Sequence, residues 1–219
     1  MLRHDRVSAG KPRLRGVSHQ WAAVCAVPFG ALLVVVADGA RARVAVAVYA
    51  LSLLGLFTVS AIYHRINWRS AAARRRMRRL DHSMIFVLIA GTYTPFAILS
   101  LHGPLALAIL AAVWAGALSG ALFKLVWITA PAWLVISAYI ALGWVAVAAL
   151  PQLASAIGVT GLALLGLGGL LYTAGALVYA LRRPDPVPAV FGYHELFHVF
   201  VIVAAALQYA VIAFWVVPS

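Results

Sequence analysis

Apolar residues along this chain gather into seven long runs, at approximately 20–37, 44–63, 82–100, 105–127, 132–150, 157–181 and 194–217. Each is about 18 to 25 residues long, and a helix needs about 20 to cross the hydrocarbon core of a bilayer. The breaks between them are short and carry turn chemistry: Asp38-Gly39, His102-Gly103-Pro104, Ala130-Pro131, Pro151 and Pro184-Asp185-Pro186-Val187-Pro188. The pattern predicts an all-α integral membrane protein, a seven-transmembrane helix bundle over residues 19–217 behind a basic tail over 1–18, with no separate soluble domain. Tail and first run have the layout of a secretion signal, but no small-x-small processing site follows and the run is long enough to span, so it is read as the first crossing. In the third run, Gly91-Thr92-Tyr93-Thr94-Pro95-Phe96 sets a proline inside a helix, which removes a backbone hydrogen bond and predicts a kink.

Composition agrees and narrows the chemistry. With 65% of its 219 residues hydrophobic and 10% charged, and a mean hydropathy of +1.00, the chain is too apolar for an ordinary globular domain. A net charge of +12 would suggest nucleic acid if it lay on a soluble face. It lies between the apolar runs instead, which excludes nucleic acid as a partner. The single cysteine, Cys25, sits in the first run and leaves no intramolecular disulfide and no thiolate metal site.

The basic residues orient the bundle. Five precede the first run, seven lie from Arg65 to Arg79, and Lys124, Arg182 and Arg183 fall on the same side; the alternate connections hold only Arg41 and Arg43. The positive-inside rule then places the N-terminus in the cytoplasm and the C-terminus outside. The Arg65–Arg79 loop is expected to meet anionic lipid headgroups. Lys124 is read most simply as snorkelling to the interface, with contact to a lipid phosphate open if it faces inward. The glycines of the sixth run, Gly161, Gly166, Gly168, Gly169 and Gly175, are read as points of close helix approach, and Trp114, Trp127, Trp133 and Trp144 as belt or packing residues.

This orientation brings polar residues to one depth. The second run ends inside at Ser60-Ala61-Ile62-Tyr63-His64, the third begins inside at Leu80-Asp81-His82-Ser83, and the seventh begins inside at Tyr193-His194-Glu195-Leu196-Phe197-His198. Residues at i and i+4 share a helix face, so His194 and His198 can converge on one ion, and neutral imidazole suits zinc. His64, His194 and His198 would complete the protein side of a Zn2+ centre and leave the fourth tetrahedral position for water. Asp81 could accept a proton from that water or ligate directly, and as a lone feature it also fits a helix N-cap. Ser60, one turn before His64, could support the water, a developing oxyanion or an imidazole. His82 is rotated about 100° from Asp81 and is expected to face elsewhere. His4, His19 and His102 fall in tails or loops without a partner at ligand spacing and are assigned to solvent or headgroups.

The run His194-Glu195-x-x-His198 also spells a zinc-protease motif, with Glu195 as general base. No Asp, Glu or His follows His198, so the motif's downstream ligand is missing. Glu195 points off the histidine face and is expected to pair with the arginine-rich surface or a helix terminus.

Together, Ser60-Ala61-Ile62-Tyr63-His64-Arg65, Arg79-Leu80-Asp81-His82, Ile89-Ala90-Gly91-Thr92-Tyr93-Thr94-Pro95-Phe96, Phe123-Lys124-Leu125 and Tyr193-His194-Glu195-Leu196-Phe197-His198 resemble the bacterial hemolysin III family over about residues 18–217. That family is related to the progestin and adipoQ receptors, including the adiponectin receptors, and more distantly to alkaline ceramidases. The resemblance implies seven helices and zinc near the cytoplasmic face on His64, His194 and His198. It further implies that Asp81 bears on the metal through water and that Ser60 is the serine of an S-x-x-x-H motif. Where the family often has a further histidine about ten residues after the second of the pair, this chain has Gln208.

The leading functional expectation is a zinc-dependent hydrolase of a lipid amide or ester, ceramidase-like and involved in membrane homeostasis, with membrane lipids as substrate. The alternative is a non-enzymatic, receptor-like sensor in which zinc staples the second, third and seventh helices. A haemolytic pore ranks last, because outside the inner layer the spans offer few ionisable groups.

Overall fold

Backbone N–H and C=O groups in an apolar medium must be satisfied within their own segment, and long apolar runs satisfy them as helices. A computed structural model of the chain describes residues 11–218. His4 and the basic residues Arg3 and Arg6 lie outside the described residues. The helices are α1 (Val17–Val36), α2 (Gly39–Arg65), α3 (Ala71–Pro95), α4 (Gly103–Val126), α5 (Ala132–Gly143), α6 (Leu150–Leu181) and α7 (Tyr193–Val211). Among the described residues there is no strand, only an isolated bridge between Val187 and Phe191.

Six helical stretches are long and apolar enough to cross a membrane: Val17–Val36, Gly39–Arg65, Ala71–Ser100, Gly103–Val126, Ala132–Leu181 and Tyr193–Val216. The fifth, 50 residues long, is not one rod. A 3₁₀ segment, Trp144–Ala149, joins α5 to α6, and Gly158 leaves the helix at φ 64°, a conformation that glycine adopts without a Cβ penalty. The Trp144 indole donates to Thr173 Oγ1 at 3.1 Å. In a straight helix those two residues would be about 44 Å apart, so the chain doubles back here.

Sequence neighbours pack side by side, α1 on α2, α2 on α3, α3 on α4 and α6 on α7, and α1 also touches α7. The expected kink at Pro95 takes the form of a π-helical turn, Phe96–Ser100, in which Leu101 N–H reaches back to Phe96 O at 3.1 Å. Pro95 offers no N–H to Gly91 O, and the π-helical turn follows it directly.

Three boundaries move from their expected places. α3 starts at Ala71, not near residue 82, because Ser70 caps it, its Oγ accepting from Ala73 N–H at 3.3 Å. The arginines Arg74–Arg79 are therefore on a helix, with only Ile66–Ser70 left as loop. α2 starts at Gly39. α1 starts at Val17, which carries His19 into the helix. Ahead of it the tail is held in place, with Arg13 and Leu14 donating backbone hydrogen bonds to Ala189 and Val190, each at 3.1 Å.

Candidate metal centre

Two helix ends supply the histidines. Near the end of α2, Ser60 and His64 lie one turn apart and both are buried. At the start of α7, Glu195 Oε2 accepts from the Gly192 N–H at 2.8 Å, and the Arg15 side chain donates to Oε1. Glu195 is thereby spent on fixing the first turn of α7, at a helix terminus as expected though with an arginine of the tail. That turn directs His194 and His198 toward α2. One side-chain nitrogen from each of His64, His194 and His198 falls within 4.8 Å of the others, and the Nε2 atoms of His64 and His194 are 3.2 Å apart. Two imidazole nitrogens bound to one tetrahedral zinc would stand about 3.3 Å apart. The donor set, three half-buried or buried imidazoles with no thiolate, fits zinc.

Asp81 arrives from α3. It lies well inside that helix, so the N-cap alternative is removed, and Ser70 has that role. Its Oδ2 is 3.8 Å from His64 Nε2, beside the nitrogen cluster and beyond direct hydrogen-bond reach. Its carboxyl group also interacts with the Ser60 side chain.

Two histidines depart from expectation. His82 does not face away: its Nδ1 is 3.6 Å from Asp81 Oδ2 and 2.8 Å from Arg78 O, and its ring borders the same cavity as Asp81. His19, assigned to solvent or headgroups, is 3% exposed and belongs to the site. Its Nδ1 shares a 2.8 Å hydrogen bond with Ser60 Oγ, and its ring stacks on His198 with centroids 3.7 Å apart and planes 8° from parallel. The approach is possible because Gly16, at φ 79°, turns the tail against α2; a Cβ there would sit 2.6 Å from His64 Cβ. A first apolar run read as beginning near Gln20 leaves His19 outside by one residue. The signal that could have found it is its level, since the first turn of α1 lies at the same end of the bundle as His64 and His194.

Beyond the histidines runs a cavity of about 500 Å³. It begins at Asp81, His82, Lys124 and His194, passes Tyr93 and Tyr172, and ends against Leu101 and Leu150 near the opposite ends of the helices. Its walls come mainly from α3 to α7, with His19 of α1 and Leu56 and Ser60 of α2 at the histidine end, and are overwhelmingly apolar. Gln208 is turned to α6: its Nε2 donates to Leu165 O at 3.2 Å and packs on Gly168. Gly168 is thus one of the close approaches expected of the sixth run, whereas Gly166 has open space above it.

With this geometry in view, comparison with known proteins is decisive. The family model described as haemolysin-III related matches residues 7–209. The chain belongs to the haemolysin-III family. It is 32% identical to hemolysin-3 of Bacillus cereus over 206 residues, 93% of this chain and 90% of that one. It is also 32% identical to the hemolysin-3 homolog of Bacillus subtilis (strain 168) over 170 residues, 78% and 76% of the two chains. Human monocyte to macrophage differentiation factor is 25% identical over 195 residues, covering 88% of this chain and 79% of that one. This haemolysin-III protein is a multi-pass membrane protein, and the matched region includes His19, Ser60, His64, Asp81, His194, His198 and Gln208.

Proposed function

We propose that this protein is a membrane-embedded, zinc-dependent hydrolase of a lipid amide or ester. The observation that carries the reading is the meeting of His64, His194 and His198 at the end of a long apolar cavity that Asp81 and Ser60 also border. Zinc held on these three imidazoles would supply a Lewis acid and lower the pKa of a bound water. The protein's own residues do the rest. Asp81, 3.8 Å from His64, takes up a proton from the attacking water and returns it to the leaving group. Ser60, anchored by His19, orients Asp81 and offers its hydroxyl to a developing oxyanion. The apolar walls seat an acyl chain and exclude water, which strengthens the electrostatics of the polar end.

The topology proposed with it has seven crossings, counting the folded-back Ala132–Leu181 stretch as two, since about 75 Å of helix exceeds a hydrocarbon core of about 30 Å. All basic residues but Arg41 and Arg43 then lie on the cytoplasmic side of the inner membrane, with the site at that face and Arg65–Arg79 against anionic headgroups.

Purified protein is expected to hold about one zinc per chain and, incubated with a panel of lipid amides and esters, to release fatty acid. Asp81→Asn is expected to keep zinc and fold while losing turnover. Zinc-loaded wild-type protein that turns over none of the panel would give preference to a receptor-like protein with a structural metal.

A further inference from the structure

The mouth of the cavity has an unusual charge. Lys124, in the last turn of α4, is 3% exposed, so it does not reach out to the interface as a snorkelling lysine would. Its Nζ donates to Ile128 O at 3.1 Å, in the turn between α4 and α5. An ammonium carries three donors, and among the described residues Lys124 makes no ion pair. A buried cation left without a carboxylate is costly in an apolar surround. Arg78 and His82 line the cavity at the same end, and Asp81 is the single acidic side chain among the lining residues. The mouth is therefore basic, and the space beyond it apolar.

We infer that Lys124, with Arg78, forms a subsite for the anionic head of a single-chain amphiphile whose tail occupies the cavity. The chemistry required is a carboxylate or phosphate oxygen bearing one acyl chain. A compact anion would leave the apolar walls unfilled, and a neutral lipid would leave the buried ammonium unpaired. A cavity of about 500 Å³ is of the size that encloses one ligand of moderate length. Arg78, exposed at the mouth, attracts the head, and Lys124 receives it deeper, where the local dielectric is low and the pair is strong. This deepens the hydrolase reading and rests on it for the use of the cavity; what it adds is the charge of the ligand and the residue that reads it.

Full-length protein in micelles, carrying a fluorescent acyl probe, separates the two. The probe is displaced with oleate, oleoyl lysophosphatidate, oleyl alcohol or inorganic phosphate. One or both anionic amphiphiles are expected to compete about tenfold or more better than oleyl alcohol, as a charge-assisted hydrogen bond implies. The tighter of the two identifies the source as carboxylate or phosphate. Lys124→Met should bring the anion-to-alcohol ratio close to one, and Lys124→Arg should keep it. A ratio near one in the wild type, a ratio unchanged in Lys124→Met, or displacement by inorganic phosphate alone would each overturn the subsite. The second of these outcomes would assign anion preference to a metal on the histidines. If Lys124→Met does not fold, Lys124→Gln and the wild-type ratio carry the test. Hydrolysis of lipids without regard to head charge would leave the hydrolase reading standing and remove only this inference, whereas a cavity that takes none of the acyl chains would remove both.

Discussion

The helices that bring the histidines together and the helices that wall the cavity are packed to different degrees. In the most apolar windows of α2 and α3, 50% and 56% of the residues are buried within the protein, and α7 reaches 39%. In α4 and in the Ala132–Leu181 stretch the figure is 17%. The packed side carries Ser60, His64, Asp81, His194 and His198, whose relative positions must hold to a fraction of an ångström for a metal to be bound. The open side faces the cavity inward and apolar surroundings outward, and it contributes one buried charge, Lys124. Precision is concentrated where α2, α3 and α7 meet, and space where α4, α5 and α6 do not fill.

The sharpest way to break this contrast is to remove a donor from the packed side. His64→Ala is expected to abolish stoichiometric zinc in metal analysis of the purified protein, with the helical content kept; retention of a full equivalent would sink the site. Next in size is Asp81→Asn, for which turnover in the lipid assay should fall by about 10²- to 10⁴-fold, the span usual for loss of a general acid or base, with zinc content unchanged. His19→Ala removes the partner of Ser60 and the stacking surface of His198. Zinc affinity in a chelator competition is expected to drop about 10- to 100-fold, as for outer-shell partners of metal ligands. An unaltered affinity would reduce His19 to a packing residue.

The smallest effects compare the two sides by packing alone. A Cβ at Gly91, where α3 meets α2, would stand 2.6 Å from Ser52 Cβ, while at Gly166 on the cavity wall nothing lies within 4 Å. Gly91→Ala should cost about 1–3 kcal/mol by overpacking. Gly166→Ala should be neutral or add up to about 1 kcal/mol through helix propensity. Unfolding of both variants in the same micelle measures the difference, and equal losses would mean that the two sides are packed alike.

Much of this was legible before folding, for identifiable reasons. Long apolar runs must be helical, so every predicted run contains a helix, and Pro95 announced an interruption because it lacks an N–H. The i,i+4 spacings of Ser60 with His64 and of His194 with His198 fix which side chains share a face. Their shared depth followed from the pattern of short connections. The failures lie where a boundary depends on a cap or on a distant segment. Ser70 and Gly16 extend α3 and α1 beyond their apolar runs; a shift of about three turns moved Arg74–Arg79 onto a helix, and one of about one turn brought His19 into the site. His82 was misplaced because a nominal rotation of about 100° says nothing of a cavity wide enough to touch both faces of α3.

By itself, then, the sequence determined that the chain is helical and membrane-bound, and that three histidines and an aspartate end up at one level. Those properties depend on local hydrogen bonding, on hydropathy and on a helical period, all of which act over a few turns. Only the tertiary structure decided that His19 stacks on His198 and that Lys124 is buried at a cavity mouth. It alone decided, too, that Trp144 bonds Thr173 across the turn between α5 and α6. Each of these joins residues 29 or more positions apart in the chain, or surrounds one with several helices, and such encounters are set by how whole helices pack rather than by any segment's own preference.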